Sequence, residues 1–358
     1  MKIKAIYHKI PEILIEGFAL IIMLFFHQCE SNERFYRPDV PEKLCSIGIL
    51  IADDTSDYYP YASPPHSRPV VRFMSFEKSF QGENPQDLKD SLREFSFSIY
   101  SSEKELFSYH CDSTIKDLRG FEIPGNIDFH SGEKYFLRAE DKSTTEFSAF
   151  VTVPDPPSEP KLVSVIKEIT QYTDPCDGDR ELTTALIDFS FENDSRKNLY
   201  YAILLDEIDK LVDQRPDMVN PVEYDIRECN TAGFLAELSG YTIYHRSCQN
   251  FETPWVKVPV SAYFIDGSKI PDNKCVIKLS TLFIEDNIYK EFGRTTRVRL
   301  LSIPKELYLF EKSLYTYTQN SGDPFSEPVY LNGNITGGNG IFAICRSKEF
   351  LIKHSLWQ

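Results

Sequence analysis

Positive charge is scarce in this chain. Its 39 lysines and arginines face 54 acidic residues, a formal net charge of −15 over 358 residues. A chain so balanced lacks the basic surface that neutralises phosphates, so no nucleic acid partner is expected. Eight cysteines are present but none stands as a CxxC pair, which removes zinc ribbons and dithiol redox motifs. There is no G-x-S-x-G elbow, no H-E-x-x-H and no glycine-rich dinucleotide fingerprint. The seven histidines are scattered, and His245 in "YTIYHRSCQN", the one in a segment that reads as structured, is expected to be a packed or surface residue. No catalytic residue, metal ligand or cofactor is therefore expected, and the chain reads as a non-enzyme.

What is present begins at the N-terminus. Lys2, Lys4 and Lys9 precede the apolar run "GFALIIMLFF" (Gly17 to Phe26), which is too short to span a bilayer comfortably and has the form of an export signal. Cys29 follows after His27 and Gln28, ahead of the polar stretch "ESNERFYRPDVPEK". This is the arrangement of a bacterial lipoprotein signal, with residues 1–28 removed and Cys29 lipidated, although Gln28 and Phe26 replace the small residue and leucine usual there. An ordinary cleaved signal or an uncleaved anchor is the alternative. An exported chain can also pair cysteines; Cys229 with Cys248 would close a hairpin-sized loop, but spacing does not fix connectivity.

Phe and Tyr cluster with Val, Ile and Thr in short alternating segments, which favours strands. Strands are expected at 44–52, in "VVRFMSF" and "SFSIYSS", and in "KYFLRAED", where Tyr135, Leu137 and Ala139 share a face. "NPQDLKDSLREF" reads as a short helix capped by Asn84, with Leu88, Leu92 and Phe95 as its stripe. Pro154, Pro156, Pro157 and Pro160 cannot continue a sheet and mark a boundary. The expected organisation is a tether over 29–43, an immunoglobulin-like β-sandwich domain over 44–157 and a second β-rich, sandwich-like domain over 158–358.

In the second half, "KNLYYAILLDEID" fits both a strand and, through Leu204, Leu205, Ile208, Leu211 and Val212, a helix period. "WVKVPVSAYFIDG", "CVIKLST" and "RTTRVRLLSI" read as strands. "SIPKELYLFEKSLYTYTQ" predicts a C-terminal helix with Ser302 as cap and Leu307, Phe310, Leu314 and Tyr317 on the buried stripe. The acidic stretches "ADDTSD" (Asp53, Asp54, Asp57) and "DPCDGDRE" (Asp174, Asp177, Asp179, Glu181) lack the spacing of a complete calcium loop and read as solvated turns. Tyr58, Tyr59 and Tyr61, in the Pro-rich connection after the first strand, are candidate binding aromatics, with packing as the alternative.

Several segments together resemble one family: "GILIADD", "SGEKYFLRAED", "FSAFVTVPDPP", "IDFSFENDSRKNLYYAILL", "AYFIDGSKI", the helix, and the closing "GDPFSEPVYLNGNITGGNGIFAI". The chain is similar to the domain of unknown function 4249 family, exported lipoproteins of Bacteroidetes-type bacteria. Its signature is matched by Asp323, Pro324, Phe325, Glu327 and Pro328, then Asn334, Gly338, Gly340 and Phe342. A strand, not a helix, is expected after Gly340, so this stretch reads as a turn entering a strand rather than a phosphate loop. The resemblance implies a place at the outer membrane beside a TonB-dependent transporter and carries over no catalytic residue. The expected function is thus a lipid-anchored accessory that binds a ligand or partner for such a transporter. The alternatives are a structural or adhesive envelope protein with an immunoglobulin-like spacer and, third, a glycan or peptide hydrolase.

Overall fold

The computed structural model of the chain describes residues 43–52, 72–79, 92, 94–102, 104–112, 118–124, 127–142, 144–174, 178–194, 197, 199–209, 218–222, 224–245, 256–283, 294–320 and 329–353. Strands dominate. The first half supplies β1 (Lys43–Ile51), β2 (Arg72–Ser79), β3 (Phe95–Ser101), β4 (Lys104–Cys111), β5 (Leu118–Glu122), β6 (Lys134–Asp141) and β7 (Thr144–Thr152). The second half supplies β8 (Lys161–Asp174), β9 (Gly178–Glu192), β10 (Tyr200–Asp209), β11 (Met218–Pro221), β12 (Tyr224–Cys229), β13 (Gly233–His245), β14 (Val256–Asp266), β15 (Lys274–Phe283) and β16 (Arg294–Ile303). A helix, α1 (Lys305–Asn320), precedes β17 (Ile335–Thr336) and β18 (Asn339–Lys353).

These strands form three sheets. The longest runs β13-β14-β10-β16-β18-β1-β2-β5, with β11 paired to β10; a second runs β12-β15-β9-β8 and a third β17-β7-β6-β3-β4. The long sheet is stitched at its middle by β1 and β18, which lie parallel with Cys45 opposite Asn339 and Ile51 opposite Cys345. The Pro-rich segment at 154–160 does separate β7 from β8. Even so, strands from both sides of it share this one sheet, and residues 42–358 form a single compact unit.

Side-chain alternation explains how one sheet serves three cores. Along β18, Phe342 and Ile344 enter a core shared with β3, β6 and β7, whereas Ile341, Ala343 and Cys345 point to the opposite face, toward α1. Farther along, Ile352 joins a third core beneath β9 and β15. β10 is likewise buried on both faces: Ala202 and Leu204 on one, Tyr201, Ile203 and Leu205 on the other. A strand covered on both sides reads as a continuous apolar run, which is why "YYAILLDEID" also fits a helical period yet folds as a strand throughout. β6 has the simpler pattern, with Tyr135, Leu137 and Ala139 buried and Lys134, Arg138 and Glu140 exposed.

Three local expectations need correction. Phe95 opens β3 and Leu92 forms an isolated bridge, so the helix expected over 84–95 does not reach these residues; Asn84 and Leu88 lie outside the described residues. Ser302 belongs to β16 and its buried Oγ has no hydrogen-bond partner, so it does not cap α1. The first helical hydrogen bond runs instead from Tyr308 N–H to the Pro304 carbonyl at 3.2 Å. On α1, Leu307 and Phe310 are buried as expected, but Tyr317 is 53% exposed, and the covered face is completed by Tyr308, Glu311 and Ser313.

Candidate binding face

Asn334 shows what the closing signature does locally. Its Nδ2 donates to the carbonyls of Phe150 at 3.0 Å and Phe342 at 2.8 Å, and its Oδ1 accepts from Phe342 N–H at 2.9 Å. One side chain thus bonds the backbones of β7 and β18, across the gap between two sheets. Phe342 itself is fully buried. Gly340 has φ +115°, and a Cβ there would stand 1.8 Å from the Ser46 carbonyl oxygen on β1. Gly337 also has a positive φ, whereas Gly338 does not, so the conformational demand rests on Gly337 and Gly340. The signature residues that are described therefore hold sheets together. Asp323, Pro324, Phe325, Glu327 and Pro328 lie outside the described residues, as do Cys29, Tyr58, Tyr59 and Tyr61.

In the acidic stretch at 174–181, Asp174 ends β8 opposite Gly178, and Asp179 and Glu181 lie within β9. Asp53, Asp54, Asp57 and Asp177 are outside the described residues. No group of three or more His, Cys, Asp or Glu side chains able to hold a metal occurs among the described residues. His245 is the last residue of β13, opposite Val256.

An open cleft of about 590 Å³ lies near the Pro-rich segment, lined by Asp155, Glu192, Asp194, Lys197, Tyr201 and Asn273 among others. Lys197 reaches both Asp155, at 2.8 Å, and Asp194, at 3.9 Å. Its floor is fixed by Asn193, which accepts from the Tyr201 hydroxyl and donates to the Gly267 carbonyl, each at 2.9 Å. These contacts tie backbone segments together.

Buried charge is concentrated elsewhere. Asp206 Oδ2 accepts from Arg297 Nη2 at 2.9 Å and from Arg299 Nη2 at 2.7 Å, with all three side chains at most 2% exposed. Burial opposes ionisation of Asp206, but the Arg299 and Arg297 guanidinia outweigh it and hold the carboxyl below its ordinary range. Glu311 on α1 is the opposite case: burial pushes it up to about 7, despite hydrogen bonds from Ser239. Neither group borders the cleft, and both brace the fold.

The outer face of the five-stranded sheet is different. Tyr100 on β3, Phe136 on β6 and Phe150 on β7 are direct cross-strand neighbours and form one row. Their ring centroids are 6.0 and 4.6 Å apart, and Phe150 is 64% exposed. The adjacent row is polar, with Ser98, Arg138 and Ser148 in register, and Glu140 faces Ser96 beyond it. Tyr100 donates from its hydroxyl to Glu105 at 3.2 Å, and Ser96 to Glu140 at 3.2 Å. An aromatic row flanked by hydrogen-bonded polar groups on a sheet face can take an apolar or ring-faced surface and orient it by hydrogen bonds. Sequence reading missed this row. Its signal was there in "KYFLRAED" and "FSAFVT", where Phe136 and Phe150 occupy the parity that a solvated sheet face normally gives to polar residues.

Comparison with known proteins decides the family. The family described as "Domain of unknown function (DUF4249)" matches residues 98–350. The chain belongs to that family. Among solved structures, the chain is similar to a carbohydrate-binding module of the beta-sandwich superfamily, at 8% identity over 74% of this chain and 97% of that one, with TM-score 0.15. It is also similar to the BSP domain of a biofilm-associated protein, at 9% identity over 87% and 59% of the respective chains, with TM-score 0.13. A search of curated proteins finds no match. Both structural likenesses are remote and bear on nothing this chain binds.

Proposed function

We propose that this member of the domain of unknown function 4249 family is a non-enzymatic cell-envelope protein, lipid-anchored through Cys29 at the outer membrane, that binds a partner as an accessory to a TonB-dependent transporter. The observation that carries the binding reading is the Tyr100–Phe136–Phe150 row, an apolar strip on a sheet face that is otherwise polar. Surface aromatics so arranged lose little entropy on contact, because the sheet already fixes them. The basic N-terminus, the short apolar run and the cysteine after it support the anchor. An anchor confines the protein to two dimensions and raises its effective concentration toward any neighbour in the same membrane, so a modest face suffices.

The test is a Phe136→Ser/Phe150→Ser double variant expressed from the native locus. Both side chains are on the outer face, so the variant should fold. After cross-linking and mild detergent extraction, affinity capture of the wild type should enrich a TonB-dependent transporter and capture of the variant should not. A wild type recovered without any transporter, across several detergents, favours the structural or adhesive alternative. Equal enrichment by both proteins removes the aromatic row from the interface.

A further inference from the structure

Cys229 and Cys275 stand 46 residues apart in sequence with their sulfurs 4.0 Å apart. Their proximity is built into the sheet. Cys229 ends β12 opposite Ile277 on β15, which makes Cys275 its diagonal neighbour on the same, inward face. Asn230 then fixes the end of β12 against β15 with three bonds. Its N–H donates to the Val276 carbonyl at 3.3 Å, its Nδ2 to the Lys274 carbonyl at 2.8 Å, and its Oδ1 accepts from Val276 N–H at 3.0 Å. The residues on either side of Cys275 are thus clamped to the residue that follows Cys229. The sulfurs need to close by roughly 2 Å to reach bonding distance.

The two thiols are not equivalent. Cys275 is fully buried, while Cys229 is partly exposed. A hydrogen bond from Cys275 lowers the Cys229 thiol to about 7 against the effect of burial, helped by the Thr231 backbone N–H and the Tyr263 hydroxyl. Cys229 is therefore the thiolate that an oxidant reaches first, and Cys275 the thiol that resolves.

We propose that Cys229 and Cys275 are joined by a disulfide in the mature protein, formed by exchange with a dithiol–disulfide oxidant, and that this bond closes the segment carrying β13 and β14. Cys229 thiolate attacks one sulfur of the oxidant's disulfide, giving a mixed disulfide and releasing one oxidant thiolate. Cys275 then loses its proton and attacks Cys229 Sγ, releasing the second. Two protein thiols and one oxidant disulfide become one protein disulfide and two oxidant thiols. The segment so closed leaves the four-stranded sheet at β12, builds the β13–β14 end of the long sheet and returns at β15. The bond would therefore tie the two sheets' shared excursion at its root, beside β12, a sheet-edge strand. The inference is independent of the proposed partner and of the aromatic row.

The test uses the purified full chain, reduced, desalted and incubated with oxidised glutathione in its native state. Wild type should lose two thiols, and a non-reducing peptide map should link the Cys229 and Cys275 peptides. Cys248→Ser should give the same link; Cys229→Ser and Cys275→Ser should give none. The wild-type map decides the matter even if Cys275→Ser fails to fold. Absence of the link, or Cys229 joined stably to Cys248 or to glutathione, overturns the proposal.

Discussion

Ser239 gives both its backbone N–H and its hydroxyl proton to the carboxyl group of Glu311, at 2.9 and 3.1 Å, and so binds β13 to α1. Glu311 is 1% exposed, and burial raises it from an ordinary 4.5 to about 7. The folded protein therefore holds this proton more tightly than the unfolded chain does. Stability from this group is complete below pH 4.5 and is lost as pH rises through 7, by about 3 kcal/mol in all. Glu311→Gln keeps the shape and an acceptor for Ser239 but cannot ionise. Its advantage over wild type should grow between pH 4.5 and pH 8, read from thermal melts at each pH. Parallel curves would show that Glu311 does not titrate in this interval.

Gly340→Val should destabilise the protein by on the order of 3 kcal/mol or more, because the new Cβ falls on the Ser46 carbonyl and the residue must adopt φ +115°. Denaturant titration measures this. A variant that melts like wild type yet no longer captures its partner would make the turn a functional surface instead.

Asp206→Asn should cost about 3–5 kcal/mol, since it removes a buried charge that two guanidinia share. The loss should appear as a lower urea midpoint with an unchanged slope. A change below about 1 kcal/mol would mean that the arginines are neutralised by other groups.

Cells fed an alkyne-tagged palmitate should label the wild-type protein and not Cys29→Ser. Equal labelling of the two would remove the lipid anchor and with it the confinement on which the proposed function relies.

Local pattern carried far in this chain. The alternation of Tyr135, Leu137 and Ala139, the start of α1 near Pro304 and the entry from Gly340 into a strand are all short-range features, and all were legible. Three kinds of feature were not. Pairing of β1 with β18 depends on residues about 290 positions apart, which no window of sequence displays. Buried polar groups such as Glu311, Asp206 and Arg299 look like surface residues until their partners on other strands are known. The aromatic row is assembled from one residue on each of three strands, so it exists only once register is fixed. For the same reason the thiol beside Cys229 is Cys275 on a neighbouring strand, while Cys248 lies outside the described residues.

The parallel pairing of β1 with β18 also sets a timetable. During synthesis β1 emerges about 290 residues ahead of β18, its neighbour on one side. Until then Ile49 and Leu50 have only β2 beside them in the sheet, an unfinished sheet whose two faces both belong inside. Over that interval the seam between them stays open and sticky. A chain that stopped before Asn339 would keep that edge of β1 unpaired, a template for association with other chains rather than a smaller working protein.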